Sequence, residues 1–276
     1  MLIAITRAVS RSIERCELTH LVRQPIDLEA ARRQHRAYQD ALSSLGVQVI
    51  SLPEEPEQPD AVFVEDTAVV LDECALLTRP GADSRKPEVA SVARALTPYR
   101  TCFPIQAPAA LDGGDVLVVG ADIYVGRSTR SNQAAVDQMG RLLAPYGYRV
   151  HSVPVHGCLH LKSAVTQVAE DRLLINPTWV QADDFPGLQC MAVDPSEPQA
   201  ANALRVGETL LYQPACPRTA ERLEQVGYRL LLVDASELAK AEGALTCCSL
   251  IFNTRPVDRP PHQGDISGKG SPLDQG

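Results

Sequence analysis

The chain carries a pair of thiols, an imidazole and a carboxylate in three separate segments. Cys247 and Cys248 stand between a small-residue turn and an apolar run, His160 lies in Leu-His-Leu-Lys-Ser, and Asp112 opens Asp-Gly-Gly-Asp. A cysteine thiolate is a nucleophile, an imidazole can move its proton, and a carboxylate can orient the imidazole. Together these residue types indicate nucleophilic catalysis by cysteine, provided that the fold brings them together.

Each of these residues also has an ordinary structural explanation. Free cysteine is among the most buried residue types. The alternation over 159–162 is typical of an edge strand on which His160 and Lys162 face solvent, and His151 and His156 lie nearby as competitors. Asp112 before two glycines is typical of a turn, in which aspartate accepts backbone N–H bonds and glycine supplies a positive φ.

The two adjacent thiols present a further alternative. If both lie on a strand, Cys247 and Cys248 point to opposite faces, so only one of them can reach a site. The residue pattern does not decide between them. A reactive thiol also needs its pKa lowered from about 8.5, and either His160 or a bound cation could do this.

Acids and arginines that suit a charged ligand lie elsewhere in the chain. Asp60 and the pair Glu65 and Asp66 flank the apolar run 61–64, which we predict to be a strand, and Arg85 and Arg130 open predicted helices. Carboxylates pair well with a guanidinium. Arginine at a helix start is unfavourable to the helix dipole, whereas a ligand carboxylate would explain it. Solvated strand ends and solvated surface are the alternatives.

Five segments that end in a turn and a strand indicate an internal repeat. They begin at positions 46, 99, 147, 187 and 227, so the period is about 40 to 50 residues, in the range of propellers and solenoids. We predict a strand-strand-helix-strand unit, with helices over 27–46, 132–145 and 217–226 and strands over 62–64, 68–70 and 74–77. Such short units bury their apolar faces only against neighbours. A closed ring would let residues of different repeats meet at one mouth.

Composition limits the classes of protein to which the chain can belong. A net charge of −8 argues against nucleic-acid binding but is compatible with a small cationic ligand. The sequence contains no signal peptide and no membrane-spanning run. The eight cysteines form no Cys-x-x-Cys pair and no histidine pair has metal-ligand spacing, so we expect reduced thiols, no metal and a cytoplasmic location. We predict one domain over 1–254 and a disordered tail over 255–276.

In combination, these segments resemble the dimethylargininase (dimethylarginine dimethylaminohydrolase) family of the guanidine-modifying, or pentein, superfamily. The resemblance extends over about residues 60–252. It is carried by Phe-Val-Glu-Asp (63–66), Thr-Arg-Pro-Gly-Ala through Ser-Arg (78–85), Leu-Asp-Gly-Gly-Asp-Val (111–116), Asn-Gln (132–133), Leu-His-Leu-Lys-Ser (159–163) and Leu-Thr-Cys-Cys-Ser (245–249). It implies a five-bladed pseudo-symmetric α/β propeller, in agreement with the repeat count.

The resemblance also implies the role of each site residue. Cys247 is the implied nucleophile, His160 the general acid and base, and Asp112 the carboxylate that holds the imidazole. The other implied residues bind substrate: Asp66 the guanidinium, Asp60 the α-amino group, Arg85 and Arg130 the α-carboxylate, Leu18 as part of a mobile lid, and Glu65 in the site lining. The family often has aspartate shortly before the thiol, where this chain has Glu242.

The implied reaction is hydrolysis of Nω-methylated L-arginine to L-citrulline and di- or monomethylamine, through a covalent thiouronium and without a cofactor. Arginine deiminases of the superfamily carry His-x-Asp, whose second carboxylate grips an unsubstituted guanidinium; this chain has Lys162 there. The alternatives are a deiminase or amidinotransferase, a non-catalytic propeller and an arginine-derivative-binding protein. A homodimer is one option for the oligomeric state, which the sequence leaves undecided.

Overall fold

Five small sheets make up the part of the chain that a computed structural model describes, residues 1–254. Four sheets each consist of an antiparallel hairpin followed by a parallel strand, and in the first sheet the last strand within residues 1–254 pairs antiparallel with the first. The sheets, in chain order, are β15-β1-β2 (Leu250–Asn253, Leu2–Arg7, Gln48–Leu52), β3-β4-β5 (Ala68–Val70, Cys74–Leu77, Thr101–Pro104), β6-β7-β8 (Val116–Val119, Asp122–Arg127, Arg149–Pro154), β9-β10-β11 (Val165–Ala169, Arg172–Ile175, Gln189–Ala192) and β12-β13-β14 (Leu204–Val206, Thr209–Tyr212, Arg229–Leu232).

Six helices connect these strands: α1 (Leu28–Ser44), α2 (Val89–Leu96), α3 (Gln133–Leu143), α4 (Leu161–Ala164), α5 (Pro217–Gln225) and α6 (Ser236–Ala239). Local signals set their ends. The Asp27 side chain accepts the backbone N–H of Ala30 at the start of α1, and the Asn132 side chain caps α3 in the same way. Gly46, just after α1, has φ +81°, a conformation that glycine adopts without strain. The three predicted helices are therefore confirmed, with small differences at their ends.

The five predicted repeat endings are all strands, namely β2, β5, β8, β11 and β14. The predicted repeating unit is wrong in one place, because the fourth repeat has no α-helix between β10 and β11. A single 3₁₀ turn, Ala182–Asp184, takes its place. Pro177 and Pro186 lie on either side of that turn and limit its extension.

The predicted strand over 62–64 is also wrong. The segment forms consecutive tight turns, in which Phe63 N–H donates to the Asp60 carbonyl and Asp66 N–H to the Phe63 carbonyl. A 3₁₀ turn follows at Val64–Thr67. The apolar residues at 61–64 are nevertheless buried, so the run is apolar because it lies in the core and not because it pairs as a strand.

The turns that enter three of the sheets come together, because the first of them contacts each of the other two. They are the 3₁₀ turns Val64–Thr67, Gly113–Asp115 and Thr246–Cys248, and α4 packs against the second of them. The apolar clusters fill the spaces around the sheets and leave polar groups to this region. None of the helices between residues 1 and 254 has the length and apolar character needed to cross a bilayer. The tail predicted over 255–276 lies outside the described residues.

Candidate active site

A small cavity at the meeting point of these turns is lined by six of the nine predicted site residues: Asp60, Asp66, Arg85, Arg130, His160 and Cys247. Asp60, Asp66 and Arg85 belong to the second repeat and the other three residues to other repeats, so the fold brings together residues that lie far apart in sequence. The cavity has a volume of about 20 Å³, little more than the ~10–15 Å³ that one water molecule requires. An amino acid the size of arginine therefore needs the surrounding segments to move before it can enter.

His160 lies between two carboxylates and is 4% exposed. Its Nε2 is 3.0 Å from Asp112 Oδ2, and its Nδ1 is 3.7 Å from Asp66 Oδ1. Burial alone would lower the imidazole pKa, but Asp66, Asp112 and Asp115 together raise it to about 9. The alternative of a solvent-facing edge strand is wrong, because His160 is the residue before helix α4 and is buried.

Asp112 is fully buried and held from two sides. Its Oδ1 accepts the backbone N–H of Gly81 at 2.8 Å, and its own N–H donates to Ser131 Oγ at 3.1 Å. The glycines after it serve close approach rather than a positive φ. A Cβ on Gly114 would lie 2.5 Å from His160 Nδ1 and 2.7 Å from Asp66 Oδ1. The turn interpretation with positive φ is therefore wrong, although Asp-Gly-Gly-Asp does form a tight 3₁₀ turn.

Cys247 and Cys248 lie in the 3₁₀ turn before β15 rather than on a strand. Cys247 lines the cavity, whereas Cys248 is 1% exposed and packs in the apolar cluster around α1. The turn, not strand alternation, separates the two thiols. Burial raises the pKa of Cys247 well above its ordinary value, and Glu65 and Asp66 add to the effect. In this arrangement the thiol is neutral and His160 carries the charge.

Asp66 and Arg85 form a buried ion pair. Arg85 Nη1 is 2.5 Å from Asp66 Oδ2, and Arg85 Nη2 is 2.9 Å from Glu88 Oε2. Burial would raise the Asp66 pKa, but the charges of His160 and Arg85 lower it to about 2. The solvated alternatives for these residues are wrong, since Asp66 is 2% and Arg85 4% exposed.

The segment 17–21 covers the cavity and binds to both of its sides. Glu17 N–H donates to Asp60 Oδ2 at 3.1 Å, and Arg130 Nη2 donates to Thr19 Oγ1 at 3.0 Å. The Glu242 carboxylate accepts the backbone N–H groups of three consecutive residues of this segment, Thr19, His20 and Leu21. Residues 17–21 are called the lid segment below.

Three of the nine predicted residues do not line the cavity in this structure: Asp112, which contacts His160, and Leu18 and Glu65. Leu18 is half-buried and packs against the apolar cluster around α1, within the lid segment. Glu65 lies beside the cysteine turn, where Lys162 Nζ is 2.5 Å from its Oε1 and Thr246 Oγ1 donates to its Oε2 at 3.1 Å. Glu65 therefore touches the residue before Cys247 rather than the cavity itself.

Sequence reasoning missed several polar residues of the site. Asp115 is fully buried, and burial raises its pKa to about 6, although charges and hydrogen bonds around it oppose the shift. Glu88 is buried beside Arg85, with a pKa raised by burial to about 7. Asp115 could have been suspected from the sequence, because it is the second aspartate of the Asp-Gly-Gly-Asp motif. Nothing in the sequence around Glu88, at the start of α2, indicates a role in the site.

Asp66, Asp112 and His160 are the group best placed to hold a metal ion among residues 1–254, with ligand atoms within 4.8 Å of one another. A metal there would have to displace the proton that His160 holds with a pKa of about 9 and compete with the Arg85 ion pair. The donor set therefore suits a hydrogen-bonded acid–base site better than a metal centre.

A ring of five small sheets around a cavity with a thiol, an imidazole and carboxylates is the arrangement of the guanidine-modifying enzymes with the pentein fold. A family model described as "N,N dimethylarginine dimethylhydrolase, eukaryotic" matches residues 18–184. The chain belongs to the dimethylarginine dimethylaminohydrolase family.

Relatives support this assignment along nearly the whole chain. The dimethylarginine dimethylaminohydrolase of Streptomyces coelicolor is 39% identical over 250 residues, covering 90% of this chain and 95% of the relative. The Pseudomonas aeruginosa enzyme of the same name is 33% identical over 82% of this chain and 90% of its own length.

Solved structures match the fold as well. A cysteine-to-serine variant of the Pseudomonas aeruginosa enzyme, complexed with citrulline, superposes with a TM-score of 0.86 at 31% identity, covering 91% of this chain and 98% of that one. The N-terminal domain of the arginine dihydrolase ArgZ matches with a TM-score of 0.81 at 17% identity and covers 93% of this chain and 98% of its own, which shows the shared fold alone. The predicted family, the five-bladed α/β propeller and the hydrolytic enzyme class are confirmed.

Proposed function

We propose that this enzyme hydrolyses Nω-methylated L-arginines to L-citrulline and di- or monomethylamine. The observation that carries the proposal is the charge pattern of one cavity, where Cys247 and His160 stand among two acids, Asp60 and Asp66, and two arginines, Arg85 and Arg130. This pattern complements an amino acid with a cationic side chain. The names of the relatives and the citrulline complex of one of them support the same chemistry.

In the proposed mechanism, Cys247 Sγ attacks the guanidinium carbon and forms a carbon–sulfur bond. The carbon–nitrogen bond to the methylated amine breaks, and protonated His160 gives its proton to the departing nitrogen. This leaves a covalent thiouronium. Neutral His160 then takes a proton from water, whose oxygen attacks the same carbon, and the carbon–sulfur bond breaks to release citrulline.

The positive charge of the substrate favours ionisation of the Cys247 thiol. Burial and two carboxylates raise the Cys247 pKa well above its ordinary value. A guanidinium cation placed between Asp66 and Cys247 offsets those carboxylates and favours the thiolate. We therefore propose that Cys247 releases its proton to solvent when substrate binds, because His160 is already protonated, while Asp112 keeps the imidazole oriented through the 3.0 Å hydrogen bond.

For substrate binding, we propose that Asp66 pairs with the guanidinium, Asp60 with the α-amino group, and Arg85 and Arg130 with the α-carboxylate. Two of these residues are now engaged by the lid segment, since Asp60 accepts Glu17 N–H and Arg130 donates to Thr19 Oγ1. Substrate entry would exchange those bonds for its own. Leu18 would then close over the ligand, and Glu65 would support the cysteine turn through Thr246.

Lys162 favours a methylated substrate. Lys162 stands where arginine deiminases carry the second acid of His-x-Asp. Its ammonium also lies 2.5 Å from Glu65 Oε1, so the Glu65 carboxylate is already paired with a cation. A substrate nitrogen that lacks N–H donors loses nothing in such a site. Arginine deiminase activity is the second candidate, and this ion pair weighs against it.

An assay with four substrates tests the proposal: asymmetric dimethylarginine, monomethylarginine, arginine and agmatine, with citrulline measured. We expect release from the two methylated amino acids. Cys247→Ser should abolish turnover in a folded protein, whereas Cys248→Ser, the matched control, should retain it. Citrulline from arginine alone would contradict the substrate assignment, and ordinary turnover by Cys247→Ser would overturn the mechanism.

The remaining expectations concern the setting of the reaction. We propose a cytoplasmic enzyme that acts on a small molecule, without a cofactor, nucleic acid or membrane as partner. The guanidinium is already an electrophile, which is why the reaction needs no cofactor. A homodimer stays a proposal that sedimentation would test.

A further inference from the structure

Asp115 is a fully buried carboxylate that accepts three hydrogen bonds. Its Oδ1 accepts the backbone N–H of Leu161 at 2.9 Å, and its Oδ2 accepts the hydroxyls of Ser128 and Ser131, both at 2.6 Å. It does not line the cavity. Burying a carboxylate costs free energy even when hydrogen bonds compensate in part, so its place in the fold calls for an explanation.

Both serines lead directly to proposed site residues. Ser131 Oγ accepts the backbone N–H of Asp112 at 3.1 Å, and Ser128 Oγ accepts the backbone N–H of Arg130 at 2.9 Å. Each hydroxyl donates its only proton to Asp115. The carboxylate therefore fixes the rotamer of both hydroxyls, and with it the backbone that carries Asp112 and Arg130.

The third bond crosses to the next sheet. Leu161 directly follows His160 and is the first residue of α4, whereas Asp115 precedes β6. This approach needs a glycine at position 126, because a Cβ there would lie 2.7 Å from Asp115 Oδ1 and 2.9 Å from Leu161 Cβ. One carboxylate thus connects the turn of Asp112 to the segment that presents the imidazole.

We propose that Asp115 is a positioning residue for the hydrolysis, which sets the alignment of His160 with Asp112 and the placement of Arg130. The inference rests on the proposed function, because it assumes the roles of those three residues. Hydrogen-bonded supporting residues commonly decide whether a functional group is held in its productive orientation. Asp115 itself would not touch substrate.

The two serines allow the connections to be cut separately. Ser131→Ala removes the link to Asp112, so we expect kcat to fall about 5- to 10-fold, the worth of one net hydrogen bond, with KM nearly unchanged. Ser128→Ala removes the link to Arg130, so we expect KM for the amino acid substrate to rise by a similar factor with kcat nearly unchanged. Asp115→Asn should show both effects, with a loss in kcat/KM of about 10- to 100-fold.

Asp194→Asn is the matched control. Asp194 also accepts a serine hydroxyl at 2.6 Å and a backbone N–H at 3.0 Å, both from Ser196, but it lies outside the site. We expect this variant to lose stability in thermal unfolding while its kcat and KM stay within about twofold of wild type.

A readout without substrate separates this inference from the proposed function. The carboxylates that face His160 are Asp66, Asp112 and Asp115, so removing the charge of Asp115 should lower the imidazole pKa in an NMR titration. His160→Gln identifies the signal. Ser131→Ala should shift it as well, whereas Asp194→Asn should not.

The outcomes are distinct. If the site variants lose stability but keep kcat, KM and the His160 titration of wild type, Asp115 is only structural and the proposal is overturned. If Asp115→Asn does not fold, the proposal is tested by the two serine variants, which should lower kcat (Ser131→Ala) and raise KM (Ser128→Ala). If wild type releases no citrulline from any substrate, the proposed function fails, and the titration still shows whether Asp115 orients His160.

Discussion

At the scale of single residues, the charges around Cys247 decide its state. Glu65 and Asp66 raise the thiol pKa beyond the effect of burial, and the positive charge lies on His160 in the same cavity. Because the thiolate is the reactive form, removing a negative charge beside the thiol should make it more reactive at lower pH.

Glu65→Gln tests this directly. The amide keeps the size of the side chain and can still accept from Thr246, while Lys162 loses its counter-charge. We expect the alkylation rate of Cys247 by iodoacetamide to reach its midpoint at a lower pH than in wild type. Both proteins should carry Cys248→Ser, so that Cys247 is the only thiol in this turn. An unchanged or higher midpoint would show that these charges do not control the thiol.

Gly114 gives a second prediction at this scale. An alanine Cβ would lie 2.5 Å from His160 Nδ1, so Gly114→Ala should displace the imidazole and lower kcat about 100-fold or more. Gly140, in α3, has no atom within 4 Å of an added Cβ and is the matched control. Gly140→Ala should retain kcat and raise the free energy of unfolding by about 0.5–1 kcal/mol. Equal kcat values for the two variants would contradict the steric explanation.

At the scale of elements, the Glu242 side chain makes more of the hydrogen bonds to the lid segment than Asp60 or Arg130 does. Glu242 lies five residues before Cys247 and has φ +58°, which is uncommon for a residue other than glycine. Its carboxylate accepts three consecutive backbone N–H groups of the lid. A second cavity, of about 240 Å³, shares Leu159, Glu242 and Gly243 with the central one, so release of this contact would open space next to the site.

Glu242→Gln should therefore loosen the lid. A neutral amide oxygen is a weaker acceptor than a carboxylate, so we expect faster hydrogen exchange of the amides of residues 19–21. Glu237→Gln is the control, since Glu237 accepts from Asp27 and Lys240 and makes no contact with the lid through these bonds. Lid amides that exchange equally in both variants would mean that other contacts hold the segment.

At the scale of the whole molecule, the site contributes to stability in a pH-dependent way. The His160 pKa is raised from 6.5 to about 9 in the folded protein, so folding binds this proton more tightly. The contribution is complete below about pH 6.5 and is lost as pH rises through 9. Asp115 and Glu88, with pKa values raised to about 6 and about 7, change the pH dependence of stability mainly below the range of pH 7 to 9.

His160→Gln should remove that contribution. We expect the difference in free energy of unfolding between wild type and variant to shrink as pH rises from 7 to 9, with a slope of at most ~1.4 kcal/mol per pH unit for one proton. Urea unfolding at several pH values measures it. A difference that stays constant across this range would show that the folded-state pKa of His160 is not raised.

Much of the architecture could be predicted because its signals are local. Helix caps at Asp27 and Asn132 and the turn at Gly46 depend on a few neighbouring residues, and all five repeat endings proved to be strands. The residue types of the site were also evident, since a thiol, an imidazole and a carboxylate suggest their own chemistry. The fourth repeat has a 3₁₀ turn where the repeat pattern predicted a helix. The prediction failed there because it extended the pattern of the other repeats to a segment whose own residues do not favour a helix.

The sequence by itself determined the number of repeats and the chemical groups available to the site. Only the tertiary structure decided that Cys247 rather than Cys248 enters the cavity, that His160 and Arg85 are buried, and that Asp115 is connected to the site. The physical reason is that burial, pKa and hydrogen-bond partners depend on distances between side chains from different repeats. Those distances exist only once the ring of sheets has closed.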